Sequence, residues 1–158
     1  MVPPSVRRSY DGKQASFTWW IDNVRMDETE RRAKNMQARD ANTWNQENNI
    51  MQVFDQLIYN VDRNQTNMVI DQGWHLWLID HSRSFRVSKT LKDPSVLKAV
   101  DRAMLAKMKT LDEAALTKEL GKDVTKTEIQ GLLARRDLIV KVFDSKGESA
   151  LFDRPKRN

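Results

Sequence analysis

The chain has 158 residues, with 27 Lys or Arg against 22 Asp or Glu, a net charge of +5 and no cysteine. That length suits about one domain around a single core, and acids interleaved with bases make a solvated mixed-charge surface, so no nucleic-acid partner is expected. The missing cysteines exclude a disulfide framework, thiolate catalysis and cysteine-ligated zinc and suit a reducing compartment; with no apolar run near the roughly 20 residues of a membrane span and no secretory signal in "MVPPSVRRSY", no transmembrane segment and a cytoplasmic location are expected.

"SVRRSYDGKQASFTWWI" alternates and is split by Asp11-Gly12, a favoured hairpin turn, which predicts strands over residues 4–10 and 14–21. Two strands alone are marginal in water and call for a partner surface. Asp27 to Gln37 is charged with few apolar positions, consistent with either an exposed helix or a mobile connector. From Trp44 the period changes: Ile50, Met51, Phe54, Leu57 and Ile58 recur at helical spacing and predict a buried helix ending near Tyr59. Val69 and Ile70 then form a short strand, Asp71-Gln72-Gly73 turns it, and Trp74 to Ile79 runs back.

The remainder reads as helical. From His81 to Lys109 eight Lys or Arg meet only Asp93 and Asp101. Pro94 suits a first helical turn, with Val96, Leu97, Val100, Met104, Leu105 and Met108 as the apolar face after it. Thr125 to Glu128 is a capping box that opens a last long helix, with Ile129, Leu132, Leu133, Ile139, Val140 and Phe143 inward. A basic tail over residues 151–158, ending "RPKRN", closes the chain. The fold class expected is α+β, mainly α.

The polar stretch "NVDRNQTN", Asn60 to Asn67, follows the central helix. An ordinary surface turn explains such a run, since Asn and Asp accept left-handed backbone angles. The hairpin that follows, however, brings Asp80 back toward the loop, so the oxygens of Asp62, Asn67 and Asp80 are expected to converge. Carboxylate and amide oxygens suit magnesium, which takes one or two protein carboxylates and completes its octahedron with water and phosphate. Asn67 and Asp80 would hold the metal, and Asp62 would orient an acceptor hydroxyl and take its proton. An EF-hand calcium loop fails, because Asn67 and Gly73 stand where its Gly and closing acid belong. Zinc would need more nitrogen ligands than His75 and His81 provide.

"FDQLIYNVDRNQTNMVI" followed by "LWLIDHSRSF" resembles the catalytic core of the atypical kinases, the phosphatidylinositol-kinase-like and HipA-like group, with an Asp-Arg loop ending in Asn and an Ile-Asp metal motif. The Asp-x-x-x-x-Asn spacing is also that of the general kinase loop. The resemblance implies a kinase-like large lobe that transfers the γ-phosphoryl group of ATP, with magnesium, to a hydroxyl on a protein, a lipid or a small molecule. It makes Asp62 the catalytic aspartate, Asn67 and Asp80 the metal ligands, and Arg63 and Asn64 structural or phosphate-orienting residues; Asn64 stands where His is common. Residues 1–22 would be two residual small-lobe strands and the hinge, and residues 23–150 the large lobe. Trp20, Ile21 and Asp22 would then edge the adenine site and Val69 and Ile79 floor it. For the Trp pair, plain core or interface packing is an equal reading. Asp55, on the central helix, is placed to brace the loop or to be an ordinary helix acid.

A full small lobe also brings a Gly-rich phosphate cover, a strand lysine and a helix glutamate. The five glycines here are all isolated, at positions 12, 73, 121, 131 and 147. The expectation is therefore a truncated or incomplete kinase with weak or no activity alone, or a lobe completed by another chain. Exposed strand edges also predict self-association. The alternative is a non-catalytic, pseudokinase-like scaffold that holds a partner through the Trp-rich strands and the basic segment 81–109.

Overall fold

The computed structural model describes residues 1–155; Lys156, Arg157 and Asn158 of the expected tail lie outside the described residues. The fold is α+β, with five α-helices and three small sheets among the described residues. Backbone contacts divide the described chain into two units, one built from residues 1–39 and 64–80, the other from residues 40–63 and 81–155. No helix among the described residues is long and apolar enough to cross a membrane.

The first unit opens with the hairpin of β1 (Ser5–Tyr10) and β2 (Lys13–Thr18). Asp11 and Gly12 both have positive φ, 49° and 69°, as the expected two-residue turn requires. A strand not foreseen follows: β3 (Val24–Asp27) pairs antiparallel with β4 (Met68–Asp71), which pairs with β5 (Leu76–Leu78). β3 is only four residues long and irregular in register, too short for alternation to be seen before its partner is known. Helix α1 (Glu28–Ala33) follows at once, capped by the Asp27 side chain on the Glu30 amide, so the segment left open between helix and connector is in part a short helix. The core of this unit is Met26, Met68, Ile70, Trp74, Leu76 and Leu78.

In the second unit α2 (Ala41–Ile58) is the expected central helix, and it ends at Tyr59 in the left-handed region. All four of its last carbonyls are taken. Asn60 N–H donates to Asp55 O, Tyr59 N–H to Gln56 O, Phe85 N–H to Ile58 O and the Arg135 Nε–H to Leu57 O.

The helix expected from Pro94 through Met108 is instead three elements. A 3-10 turn spans Pro94–Val96, β6 covers Val100–Asp101, and α3 runs only over Arg102–Lys109. Asp101 decides the break, because its carboxylate caps α3 by accepting from the Met104 amide. β6 pairs in parallel with β7 (Leu151–Phe152), so these tail residues belong to the sheet of this unit. Helix α4 (Glu113–Leu120) and the long α5 (Lys126–Lys146) complete the fold, and α5 carries the expected Thr125–Glu128 capping box. α5 packs on α2, α3 and α4 around Val53, Leu97, Val100, Leu105, Ile129, Ile139 and Phe143. Gly131, in the middle of α5, is explained by proximity: a Cβ there would stand 3.0 Å from the Arg86 and Val87 carbonyl oxygens.

Candidate functional site

The candidate residues fall in both units. In the first, a 3-10 turn over Gln65–Asn67 leads into β4. Asn64 builds that turn: its Oδ1 accepts from the amides of Thr66 and Asn67 and from the Thr66 hydroxyl, at 3.0, 3.1 and 2.6 Å. Its role is therefore that of a cap, and the liking of asparagine for caps was the signal for it. Asn67 is buried, and its carbonyl accepts from the Ile79 amide at 3.2 Å. This bond extends the β4–β5 ladder by one pair and sets Asp80 immediately after the residue opposite Asn67. Asp80 is exposed and left-handed, with φ 52°, which asparagine or aspartate tolerates better than other side chains.

The register pairs Met68 with Leu78, Val69 with Trp77 and Ile70 with Leu76. Successive side chains alternate, so Val69, Trp77, Asn67 and Ile79 share one face of the hairpin, while Met68, Ile70, Leu76 and Leu78 fill the core on the other. The turn is tied by Asp71, whose carboxylate accepts from Gly73 N–H, His75 N–H and the Trp77 indole at 2.8, 3.0 and 2.8 Å. His75 Nδ1 lies 3.2 Å from the same carboxylate. Burial alone would raise the Asp71 pKa, but these donors outweigh it and hold the carboxyl below its ordinary value.

α1 packs against the Asn67 turn and β4. At its start Glu28 is buried, gripped by Arg31 through Nε and Nη2 at 2.6 and 2.9 Å and by Arg32 at 2.7 Å. Burial pushes the Glu28 pKa up; the hydrogen bonds and charges of the two arginines pull it further down, so the net shift is below the ordinary 4.5. A depressed carboxylate pKa contributes stability that is complete above the unfolded value and lost as pH falls through the folded one. Glu28→Gln is therefore expected to flatten the loss of stability below about pH 4.5, measured as urea midpoints across an acid series. A pH profile parallel to that of the unaltered chain would rule this out.

In the second unit Asp62 follows the end of α2. Its amide donates to Asn60 Oδ1 at 3.0 Å, and its half-exposed carboxylate lies 3.6 Å from Arg83 Nε. Arg63 points inward. Its Nε and Nη2 grip both oxygens of the buried Asp55 at 2.9 and 3.0 Å, and Asn60 Nδ2 adds a third donor at 3.1 Å. Nη2 also lies 3.0 Å from His81 Nε2. An arginine has no acceptor, so that imidazole nitrogen accepts and the ring carries its proton on Nδ1. His81 rests edge-on against Phe54 at 5.7 Å. Of the two roles expected for Arg63, this geometry is the structural one, and Asp55 is the brace. The parts played by His81, Arg83 and Glu28 were not foreseen, because each depends on a neighbour distant in the chain or on burial.

Of the residues expected around adenine, Ile21 and Val69 are buried and Ile79 is half-buried; Asp22 is exposed and Trp20 is 62% exposed. Ile79 and Val69 share the face that carries Asn67. Two surface grooves of the second unit, one of about 420 Å3 along Leu91, Pro94, Leu138 and Val142 and one of about 280 Å3 near Met104 and Arg154, include none of the candidate residues.

No group of three His, Cys, Asp or Glu side chains among the described residues is arranged to hold a metal ion. An all-protein cage of such ligands is thus absent there. One amide and one carboxylate remain a fitting donor set for magnesium, which keeps most of its water and phosphate ligands. Compared with known proteins, the chain matches no family model, no curated protein and no solved structure.

Proposed function

We propose that the chain is the large lobe of a kinase-like phosphotransferase of the phosphatidylinositol-kinase-like and HipA-like kind, cytoplasmic, whose complete form moves the γ-phosphoryl group of ATP to a hydroxyl. Asn67 and Asp80 would hold magnesium, which when bound neutralises charge on the phosphates. Asp62 accepts the proton of the attacking hydroxyl, while Asn60 holds its backbone and Arg83 its carboxylate from the side. Arg63 and Asn64 keep the loop in shape. Val69 and Ile79 offer apolar surface to the base, with Trp20, Ile21 and Asp22 at its edge. The observation that supports this reading most directly is the Ile79 to Asn67 hydrogen bond, which seats the two oxygen donors at the same end of one hairpin.

Phosphoryl transfer depends on positioning and electrostatics, so a chain without a Gly-rich phosphate cover is expected to bind the nucleotide weakly. Calorimetric titration of the 158-residue chain with ATP should give a dissociation constant on the order of 1 mM that depends on magnesium. Asp80→Asn keeps a residue that tolerates the left-handed backbone and should remove the magnesium dependence without unfolding the chain. Asp62→Asn should leave binding unchanged. Binding indifferent to magnesium, or to Asp80→Asn, would overturn the metal assignment.

A scaffold function is the second reading, favoured by the exposure of Trp19 and Trp20, 69% and 62%. Partner binding that survives both Asp62→Asn and Asp80→Asn, with no phosphate transfer under any condition, would establish it instead.

A further inference from the structure

The hairpin of β1 and β2 has two unlike faces. Its register sets Val6 opposite Phe17, Arg8 opposite Ala15 and Tyr10 opposite Lys13 on one side, and Ser5, Arg7, Ser9, Gln14, Ser16 and Thr18 on the other. Side-chain contacts agree with this division: Tyr10 and Phe17 meet edge to face at 6.1 Å, and the Ser5 and Thr18 hydroxyls lie 2.7 Å apart. A face carrying Val, Tyr and Phe would normally be turned inward. Here every residue of both strands is exposed except Ala15, which is half-buried; Tyr10 is 69% exposed, Val6 47% and Phe17 45%.

A two-stranded hairpin without a covering surface is marginal in water, and strand edges are templates for further pairing. Neither β1 nor β2 has a third strand among the described residues. The charges say what kind of strand would fit. Residues 5–18 carry Arg7, Arg8 and Lys13 against Asp11 alone. Arg8 and Lys13 stand on the apolar face with no carboxylate in ion-pair range among the described residues, and Arg8 donates only to the Arg7 carbonyl at 2.9 Å. Ala15 is small, so no bulky side chain separates Arg8 from the β2 edge.

We propose that this hairpin is a docking site for an extended, acidic segment of another protein, which adds a strand beside β2. Side chains two apart lie on one face of that strand, so carboxylates beside Lys13 and Ala15 meet Lys13 and Arg8, and an apolar side chain on the same face covers Phe17. A second copy of this chain fits less well, because it would bring the same cations into one sheet. A nucleic acid would meet the cations but supplies no backbone to continue the ladder, and the Tyr10 and Phe17 rings pack on one another instead of standing as open stacking platforms.

The test uses the full chain and three probes: a labelled peptide whose one strand face carries both Glu and Val (Val-Thr-Glu-Thr-Glu-Thr-Val), the same peptide with Lys for Glu, and an oligodeoxythymidylate. Only the acidic peptide should bind, its addition should slow amide exchange over residues 5–18, and Arg8→Glu with Lys13→Glu should weaken it by about tenfold or more. Both substituted side chains are exposed, so circular dichroism should be unchanged. Failure of the acidic peptide to bind, indifference to the charge reversal, or tighter binding of the oligonucleotide would overturn the proposal. So would a dimer in sedimentation whose residues 5–18 are already protected without peptide.

Discussion

Asp55→Ala is expected to lower the unfolding free energy of the chain by about 3–5 kcal/mol, measured by guanidinium unfolding followed through the helical circular dichroism. The pair it breaks is buried on both sides, with 9% of the Arg63 side chain and 8% of the Asp55 side chain exposed. Two charges already removed from water attract strongly, and taking one away leaves the other buried without its counter-ion. Asp55 is also the acceptor for Asn60 Nδ2, and Asn60 Oδ1 in turn receives the Asp62 amide, so the change loosens the loop that carries Asp62. Combining Asp55→Leu with Arg63→Met should restore most of the loss, since apolar side chains of similar volume carry no stranded charge. A loss below about 1 kcal/mol for Asp55→Ala would show that solvent reaches Arg63 after all.

Arg135→Ala should cost a similar amount, about 3–5 kcal/mol. Arg135 has no exposed surface, and its guanidinium donates to carbonyls from three places: Leu57 at the end of α2, Arg86 and Ser88. The Tyr59 ring lies 5.4 Å from the guanidinium carbon. Burial drives the Arg135 pKa down to about 10, with Tyr59 working the other way, so the group is still charged at neutral pH. Among the described residues no carboxylate accounts for that charge; the aligned carbonyl ends of α2 and of the 86–88 segment do, as expected where a cation meets a helix C-terminus. Arg135→Lys should recover only part of the loss, because one ammonium cannot reach three diverging carbonyls as a planar fork does. Faster amide exchange at Phe85, whose N–H bonds Ile58 O, should accompany the alanine change. Unchanged exchange there would mean that Arg135 does not hold the segment to α2.

Strong local signals were enough for several elements. Asp11-Gly12 specifies a two-residue turn through its backbone angles, the Thr125–Glu128 box opens α5, and the apolar spacing from Ile50 to Ile58 marks α2; each works within a few residues of chain. The region 94–108 shows the limit of such signals. Its apolar residues do face inward in part, but one aspartate cap and a parallel strand partner far along the chain at Leu151 divide them into three elements. The same limit explains β3, which exists because β4 is beside it.

The candidate site divides along the same line. The chain and its spacing propose Asp62, Asn67 and Asp80 as oxygen bearers, and they predict the hairpin that carries Asn67 and Asp80. How those residues are held was decided only in three dimensions: Asn64 as a cap, Arg63 turned inward to Asp55 and His81, Glu28 clamped under the Asn67 turn, and Arg135 closing α2. A turn or a cap is settled by neighbours along the backbone, whereas burial of a charge depends on which distant groups arrive to meet it.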